Sequence, residues 1–219
     1  MTDDAPIAAT EWDAWAYHRV STPQASWGND VLDRLPLAGH ETVVDAGCGS
    51  GVLTARLLER LPTGRVIAVD RSANMILQAT AYLSPRFGDR VSFVCADVAR
   101  LRVETPVDAV FSTATFHWVR DHPTLFRTLF AALRPGGQLV AQCGGGPNIA
   151  RLRERVSDLL NSATFRGYAA GWTDPWEFAS PELTTERLRH AGFTDTATWL
   201  EPKPTKFENA SRISVIPPV

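Results

Sequence analysis

The sequence predicts an α/β protein built on a doubly wound, mostly parallel sheet with a small helical cap. Two observations lead to this fold class. The middle of the chain alternates short β-branched runs with stretches in which apolar residues recur every three or four positions. The β-branched runs are almost continuously apolar, as expected for strands that are buried on both faces of a parallel sheet. The five predicted strands are residues 42–46, 65–70, 91–95, 107–112 and 138–142.

Helices are predicted between these strands and after them. Arg134-Pro135-Gly136-Gly137 should stop the helix before the fifth strand, and Ala191-Gly192-Phe193 should end the last helix. Beyond that helix, residues 194–200 predict a sixth strand, and only residues 212–216 could supply a seventh. The predicted helices are residues 53–61, 73–83, 123–133, 149–160 and 183–190.

Two stretches fall outside this alternation and predict how the domain is organised. Residues 1–40 are rich in aromatic side chains before any strand begins, and residues 144–180 follow the fifth strand. Together they could cover the carboxyl ends of the strands, where open α/β sheets bind ligands. The chain is therefore predicted to be one domain, residues 1–219, made of an N-terminal helical lid (1–40), a ligand-binding core (41–143), a cap insertion (144–180) and a C-terminal helix with strands (181–219).

Composition narrows the classes of function. The formal net charge of −2 over 219 residues gives no general attraction to nucleic acid or to anionic membranes. The acidic start Met1-Thr2-Asp3-Asp4 lacks the features of a signal peptide, and no apolar run approaches membrane-spanning length. The three cysteines lack C-x-x-C spacing, which disfavours a zinc site and a disulfide framework. We therefore expect a cytoplasmic protein, monomeric or homodimeric, without metal, membrane or nucleic-acid partners.

A glycine-rich turn, Gly47-Cys48-Gly49-Ser50-Gly51, follows the first predicted strand. Such a turn lets the backbone pass close to a ligand and leaves the N–H groups of the next helix free. Val52 stands where the dinucleotide pattern G-x-G-x-x-G has its third glycine, which argues against NAD. Asp70 ends the second strand, where a carboxylate can accept both hydroxyls of a ribose, and Asp97 follows the third, placed to accept from an adenine amine. A ligand-free turn and helix-capping or solvated acids are the structural alternatives, but the shared register favours an adenosine site.

Four motifs, in this order along the chain, resemble those of the class I methyltransferases, which depend on S-adenosylmethionine (SAM). The resemblance covers about residues 40–143. It implies a Rossmann-like fold, SAM as the cofactor and methyl transfer as the activity. The matching residues are 43–51, 66–70 with Met75 downstream, 95–98 and 133–139.

The resemblance also implies a role for each motif in binding SAM. The turn would lie against the amino-acid part of SAM, and the acid after the second strand would hold the ribose. The residues that follow would flank the adenine, and the third motif would read its edge. Asp45 would organise the turn rather than touch the ligand. The predicted contacts are, in that order, Gly47, Cys48 and Gly49; Asp70; Arg71 and Met75; and Asp97 with Val98, together with Tyr17 and Thr113.

Two further segments resemble a narrower group, the trans-aconitate and malonyl-carrier-protein methyltransferases. The segments are Tyr17-His18-Arg19-Val20-Ser21 and Thr113-Ala114-Thr115-Phe116-His117-Trp118. That group methylates carboxylates, and its N-terminal segment helps to close the SAM pocket. It usually has Asn where this sequence has Thr113. The resemblance implies a carboxylate as the methyl acceptor.

His117 is the catalytic candidate, because a side chain that follows the fourth strand should face the transferred methyl group. As a general base it could deprotonate a hydroxyl, thiol or amine near neutral pH. The alternative is a packing or hydrogen-bonding residue, since a carboxylate acceptor needs no base. Arg19, Arg151 and Arg153 could pair with an anionic acceptor or form solvated faces, and Trp172 could line an apolar acceptor or pack the cap. The predicted acceptor contacts are Arg19, His117, Trp118 and Trp172.

These motifs predict a SAM-dependent methyltransferase that methylates a carboxylate or hydroxyl of a small molecule by direct displacement. An NAD-dependent oxidoreductase is the first alternative, but it would have a glycine at position 52 and a catalytic Tyr/Lys pair after the fourth strand. A non-catalytic SAM-binding protein is the second alternative, because methyltransferases need no obligatory catalytic residue. Methylation of nucleic acid is disfavoured, since Ser112-Thr113-Ala114-Thr115 stands where an Asn/Asp-Pro-Pro motif would be.

Overall fold

The computed structural model describes residues 22–169 and 171–203, with side chains from residue 27 onward. Tyr17, Arg19 and the candidate seventh strand, residues 212–216, lie outside the described residues. The strands are β1 Thr42–Ala46, β2 Arg65–Asp70, β3 Val91–Cys95, β4 Val107–Thr113 and β5 Leu133–Gln142. The helices are α1 Thr22–Leu32, α2 Val52–Glu59, α3 Ala73–Phe87, α4 His122–Ala132, α5 Ala150–Asn161 and α6 Pro181–Ala191.

All the strand pairs are parallel, and their order across the sheet is β3-β2-β1-β4-β5. The chain runs outward from β1 to β3 on one side, then crosses back to place β4 on the other side of β1. The strand order therefore reverses between β1 and β4, where Asp45 pairs with Phe111. Ligands of open α/β sheets bind at the carboxyl ends of the strands beside such a reversal. The predicted doubly wound parallel sheet is confirmed.

The apolar core has two halves, one on each face of the sheet. Alternation of side chains along a strand sends Val43 to one half and Val44 to the other. The first half is completed by α1, α2 and α3, and the second by α4 with Leu125 and Leu129. Burial on both faces explains why the strands read as continuous apolar runs.

β5 begins five residues before the predicted start. Leu133 already pairs with Val107, and the register shifts before Gln138 pairs with Ala109. Arg134-Pro135-Gly136-Gly137 therefore forms an irregular part of the strand and not a turn ahead of it. Gly136 has a φ of +77°, a conformation that favours glycine and that lets the strand bulge.

The predicted sixth strand is wrong. Residues 194–200 have no strand conformation, and none of the described strands pairs with them. Thr198 instead bonds to α6, because its Oγ1 donates to the carbonyl of Pro181 at 2.8 Å. Trp199 is 57% exposed, with the Arg34 guanidinium 5.2 Å from its ring. The β-branched pattern of this segment is thus used in packing against a helix.

The helices otherwise follow the prediction closely. α3 continues four residues past Leu83 to Phe87 and ends where Gly88 adopts a φ of +56°. In the described ranges, no helix is long and apolar enough to cross a membrane.

Candidate active site

The glycine turn is anchored to the end of β2. The N–H groups of Gly47 and Cys48 both donate to the carbonyl of Val69, at 2.8 and 2.9 Å. Gly47, Gly49 and Gly51 have φ values of +88°, +53° and +86°, which side chains rarely tolerate. A Cβ added at Gly49 would meet no atom within 4 Å. The turn therefore opens onto space in which a ligand could lie against the backbone.

Asp70 connects this turn to the segment after β2. Its Oδ2 accepts from the N–H of Gly49 and its Oδ1 from that of Ser72, each at 2.9 Å. Burial raises the pKa of Asp70, and these backbone N–H bonds counteract that effect. A carboxylate oxygen has a second lone-pair direction. The oriented carboxylate can thus accept hydroxyl groups as well as the two backbone donors.

Asp45 lies beneath the turn at the end of β1. It is 2% exposed, and its Oδ2 accepts from the Oγ1 of Thr54 at 2.7 Å. The pKa of Asp45 is raised to about 7, chiefly by burial; the Thr54 bond opposes this rise and the charge of Asp70 adds to it. The bond joins β1 to α2 under the turn. This contact fits the prediction that Asp45 organises the turn.

The predicted adenine side lies along the carboxyl ends of β2 and β3. Asp97 is exposed and caps the short 3-10 helix Val98–Arg100, because its Oδ1 accepts from the N–H of Ala99 at 2.8 Å. One oxygen of Asp97 therefore acts as a helix cap, which was the structural alternative to binding adenine. Arg71 is exposed and Met75 is buried at the start of α3. Val98 and Cys48 are buried in the two core halves, so their side chains serve packing.

The turn after β4 packs against the glycine turn. Ala114 has a φ of +53°, unusual for a residue with a side chain, and its N–H donates to the carbonyl of Gln142 at 2.8 Å. Thr115 Oγ1 donates to the carbonyl of Thr113 at 2.9 Å. A Cβ added at Gly47 would lie 2.7 Å from Thr115 Cβ and closer to its Oγ1. Only glycine allows the two turns to approach this closely.

His117 lies in a short 3-10 helix, Phe116–Trp118, just beyond this turn. Its Nδ1 accepts from the N–H of Gly144 at 3.1 Å. Burial and, to a smaller extent, His122 lower the pKa of His117 to about 4. The ring is therefore neutral at pH 7, and its basic nitrogen is already occupied. Both features argue against a general base near neutral pH and favour the hydrogen-bonding alternative.

An aromatic cluster, formed by His117, Trp118, Trp176 and Phe178, covers the carboxyl end of β4. Phe178 lies 5.7 Å from the His117 ring and stacks on Trp176, which lies 5.7 Å from Trp118. The guanidinium of Arg153 lies 5.3 Å from the Phe178 ring and pairs with Asp174. Trp172, predicted to contact the acceptor, is 50% exposed, and within the described residues it makes no ring contact with this cluster.

A second set of contacts holds the 3-10 helix in place. His122 Nε2 donates to the carbonyl of Phe116, and Arg187 donates to His122 Nδ1, each at 3.0 Å. Arg187 also donates to Glu177 at 2.8 Å, and the N–H of Glu177 donates to the carbonyl of His117 at 2.9 Å. We call these residues the α6 clamp: Phe116, His122, Glu177 and Arg187. The sequence carried no signal for the clamp, because its members come from separate elements.

Comparison with known proteins decides the family. A family model described as a methyltransferase domain matches residues 43–137. A trans-aconitate 2-methyltransferase from Azoarcus sp. (strain BH72) is 40% identical over 131 residues, which are 60% of this chain and 50% of that protein. Another from Paracidovorax citrulli is 33% identical over 195 residues, 88% of this chain and 68% of that protein. The chain belongs to the class I SAM-dependent methyltransferases.

Solved structures agree with this assignment at the level of the fold. Phosphoethanolamine N-methyltransferase 2 from Haemonchus contortus, solved with SAM, is 21% identical with a TM-score of 0.64 and covers 83% of this chain and 41% of that one. The cyclopropane synthase MmaA2 from Mycobacterium tuberculosis is 20% identical with a TM-score of 0.60, covering 80% and 62%. The methyltransferase described here spans between half and about two thirds of the length of the trans-aconitate relatives above. SAM is its cofactor.

Proposed function

We propose that this methyltransferase transfers the methyl group of SAM to a carboxylate of a small molecule, which forms a methyl ester. One observation carries the choice of acceptor. The titratable side chain that follows β4, His117, is neutral and has its basic nitrogen bonded to Gly144. A hydroxyl or thiol acceptor gains most from a base that removes its proton, whereas a carboxylate is already ionised at neutral pH. The relatives named trans-aconitate 2-methyltransferase support the same class of acceptor.

The reaction needs no proton transfer. A carboxylate oxygen forms a bond to the methyl carbon, and the carbon–sulfur bond breaks with its electron pair going to sulfur. The products are the methyl ester and S-adenosylhomocysteine. Alignment of the two reactants can supply roughly 7–11 kcal/mol of the barrier. The enzyme's task is therefore to hold the two molecules in line and to keep water out.

In this proposal SAM lies along the carboxyl ends of β1, β2 and β3. The glycine turn would hold its amino-acid part, Asp70 its ribose and the β3 end its adenine. Residues 1–40 and 144–180 would cover the site as lid and cap. The proposed cofactor contacts are Tyr17, Gly47, Cys48, Gly49, Asp70, Arg71, Met75, Asp97, Val98 and Thr113, and the proposed acceptor contacts are Arg19, His117, Trp118 and Trp172, with Trp176 and Phe178 added from the aromatic cluster.

A matched acceptor panel tests this proposal. The full chain is incubated with methyl-labelled SAM and small carboxylic acids, among them trans-aconitate, each beside its primary amide and its alcohol. We expect label in a base-labile methyl ester for acids and none for their analogues. Methylation of the alcohols in preference to the acids would contradict the carboxylate. SAM binding in calorimetry with no product on any acceptor would favour the non-catalytic alternative.

A further inference from the structure

The two nitrogens of His117 have different surroundings. Nδ1 accepts a hydrogen bond from the backbone N–H of Gly144, so it carries no proton. A neutral imidazole has one proton, and the hydrogen-bond network therefore assigns it to Nε2. Nε2 forms no hydrogen bond with any of the residues described, although the side chain is half-buried. The ring thus has one occupied acceptor and one available donor.

His117 follows the turn that packs against the proposed SAM site. His117 follows Thr115 by two residues, and Thr115 packs directly on Gly47 of the glycine turn. Gly144 follows β5 by two residues, so the ring spans the carboxyl ends of β4 and β5. The backbone of His117 is fixed separately by the N–H of Glu177. Position and orientation are therefore set by contacts that need no ligand.

We propose that His117 binds the acceptor carboxylate through its Nε2–H, as a neutral hydrogen-bond donor that the Gly144 N–H locks in this tautomer. The inference rests on the proposed function, because it needs a carboxylate acceptor. It turns His117 from a candidate base into a substrate-positioning residue.

A neutral donor suits the carboxylate that receives the methyl group better than a cation does. The negative charge of the carboxylate and the positive charge of the sulfonium are both consumed as the ester forms. A cationic partner would stabilise the ionised carboxylate more than the transition state, and only interactions that strengthen in the transition state raise the rate. A cation would also repel the sulfonium. An N–H dipole orients the carboxylate without neutralising it.

The neighbourhood keeps the ring neutral. His122 and the Arg187 that bonds to it lie on the α4 and α6 side, and the Glu177 carboxylate is paired with Arg187. Arg153 and Asp174 pair with each other beyond Phe178. Cys143, directly after β5, is a thiol whose pKa is raised by burial to about 11, so it supplies no charge at pH 7. Burial and His122 together lower the pKa of His117.

Two substitutions distinguish the role of the Nε2 donor from the role of the Nδ1 acceptor of His117. In His117→Gln the amide nitrogen reaches about as far as Nε2, which keeps the donor and removes the titratable ring. In His117→Asn the shorter amide oxygen replaces Nδ1, which keeps an acceptor for Gly144 and removes the donor. We expect the Gln variant to stay within about threefold of wild-type kcat/KM and the Asn variant to lose roughly 10- to 100-fold, the range for a lost hydrogen bond to a charged group. Both should bind SAM with wild-type affinity, which also reports that they fold.

The opposite ranking, with Asn active and Gln inactive, would show that only the Gly144 contact matters and would overturn the proposal. Wild-type activity in both variants would overturn the proposal as well. The proposal would also be overturned if both variants lost activity and the wild-type activity rose between pH 6 and pH 7. If acids are not methylated at all, the proposed function fails first, and the acceptor panel shows this independently.

Nitrogen-15 NMR of the wild-type protein bound to S-adenosylhomocysteine gives a readout that does not depend on turnover. We expect the His117 ring to be protonated on Nε2 from pH 5 to 8, and addition of an accepted carboxylic acid to shift the Nε2 proton. Protonation on Nδ1, or on both nitrogens at pH 7, would refute the locked tautomer. An Nε2 signal unchanged by a saturating acceptor would refute the contact.

Discussion

Asp70 shows how a single residue can join two motifs of the site. Its carboxylate accepts one backbone N–H from the glycine turn and one from the segment that begins α3. These bonds orient the side chain before any ligand binds. A preorganised carboxylate loses little conformational freedom when it accepts ribose hydroxyls, and this favours tight binding.

Asp70→Ala should weaken SAM binding by roughly 10- to 100-fold, because it removes the acceptor of charge-assisted hydrogen bonds. Calorimetry measures the affinity, and circular dichroism shows whether the fold persists. Asp89→Ala, at an exposed carboxylate near the amino end of β3, is the matched control and should bind SAM as the wild type does. Unchanged affinity in Asp70→Ala would contradict the proposed ribose contact.

His117 marks the limit of inference from residue type. Its place after β4 was predictable from the order of the motifs. Its pKa and its tautomer were not, because both depend on burial and on a backbone N–H from Gly144, which lies 27 positions along the chain. An unperturbed histidine would titrate near neutral pH and suit a base. The same residue in this environment suits a donor.

At the scale of elements, two turns make the site by packing together. The turn after β1 is held by the end of β2, and the turn after β4 is held by the end of β5 through Ala114. They meet at Gly47 and Thr115. A left-handed conformation at Ala114 costs about 1–2 kcal/mol, and it brings Thr115 against the glycine turn. The strain is located where the reactants are proposed to meet.

A pair of glycine substitutions tests this packing. Gly47→Ala should lower the free energy of unfolding by more than Gly49→Ala, because it adds steric overlap with Thr115 to the cost of a positive φ. The conformational part alone is about 1–2 kcal/mol, and overpacking typically adds about 1–3 kcal/mol. Urea denaturation measures both variants.

The two variants should separate stability from ligand binding. Gly49→Ala places a methyl group in the space before the turn, so we expect a modest loss of stability and a large loss of SAM affinity. Wild-type affinity in Gly49→Ala would mean that SAM does not approach this part of the turn. Equal destabilisation by both substitutions would contradict the close contact of the two turns.

Strand and helix boundaries show where local pattern stops being sufficient. The central strands and their helices match the prediction because burial on both faces imposes an apolar composition that is visible in the sequence. Residues 194–200 have the same kind of composition but pair with no described strand and pack on α6. A strand requires a neighbour with free backbone groups, and composition cannot specify the neighbour.

At the scale of the whole molecule, the reversal of strand order collects the site at one edge of the sheet. It places Asp45, Asp70 and His117 at or just beyond the carboxyl ends of β1, β2 and β4, although they lie far apart in the chain. The burial of Asp45 near the charge of Asp70 affects the stability of the fold as well as ligand binding. Asp45 has a folded-state pKa of about 7, well above the ordinary 3.8.

This raised pKa predicts a pH-dependent free energy of unfolding. Between pH 4 and 7 the folded protein holds a proton on Asp45 that the unfolded chain has released, so this stabilising contribution is full below pH 4 and is lost as the pH rises through 7. A pKa difference of about three, at about 1.4 kcal/mol per pKa unit, corresponds to roughly 4 kcal/mol. The asparagine in Asp45→Asn cannot ionise. The stability of this variant relative to the wild type should therefore increase as the pH rises from 5 to 8.

Denaturation of the wild type and Asp45→Asn at the two pH values measures this gain, since other titrating groups cancel in the difference. Asp89→Asn, at an exposed carboxylate, serves as the control and should show no comparable change. The difference in free energy of unfolding between the wild type and Asp45→Asn should change with pH. The same difference at pH 5 and pH 8 would contradict a raised pKa for Asp45.

The sequence by itself determined the fold class, the order of the motifs and the family, because apolar periodicity and local turn chemistry are properties of neighbouring residues. It also placed Asp70 at the end of the second strand and His117 after the fourth, and parallel strands present their carboxyl ends at one edge. The tertiary structure alone decided what each of them can do. The proton on His117, the engaged oxygens of Asp70 and the unpaired state of residues 194–200 depend on burial and on partners distant in the chain, and no local pattern records either.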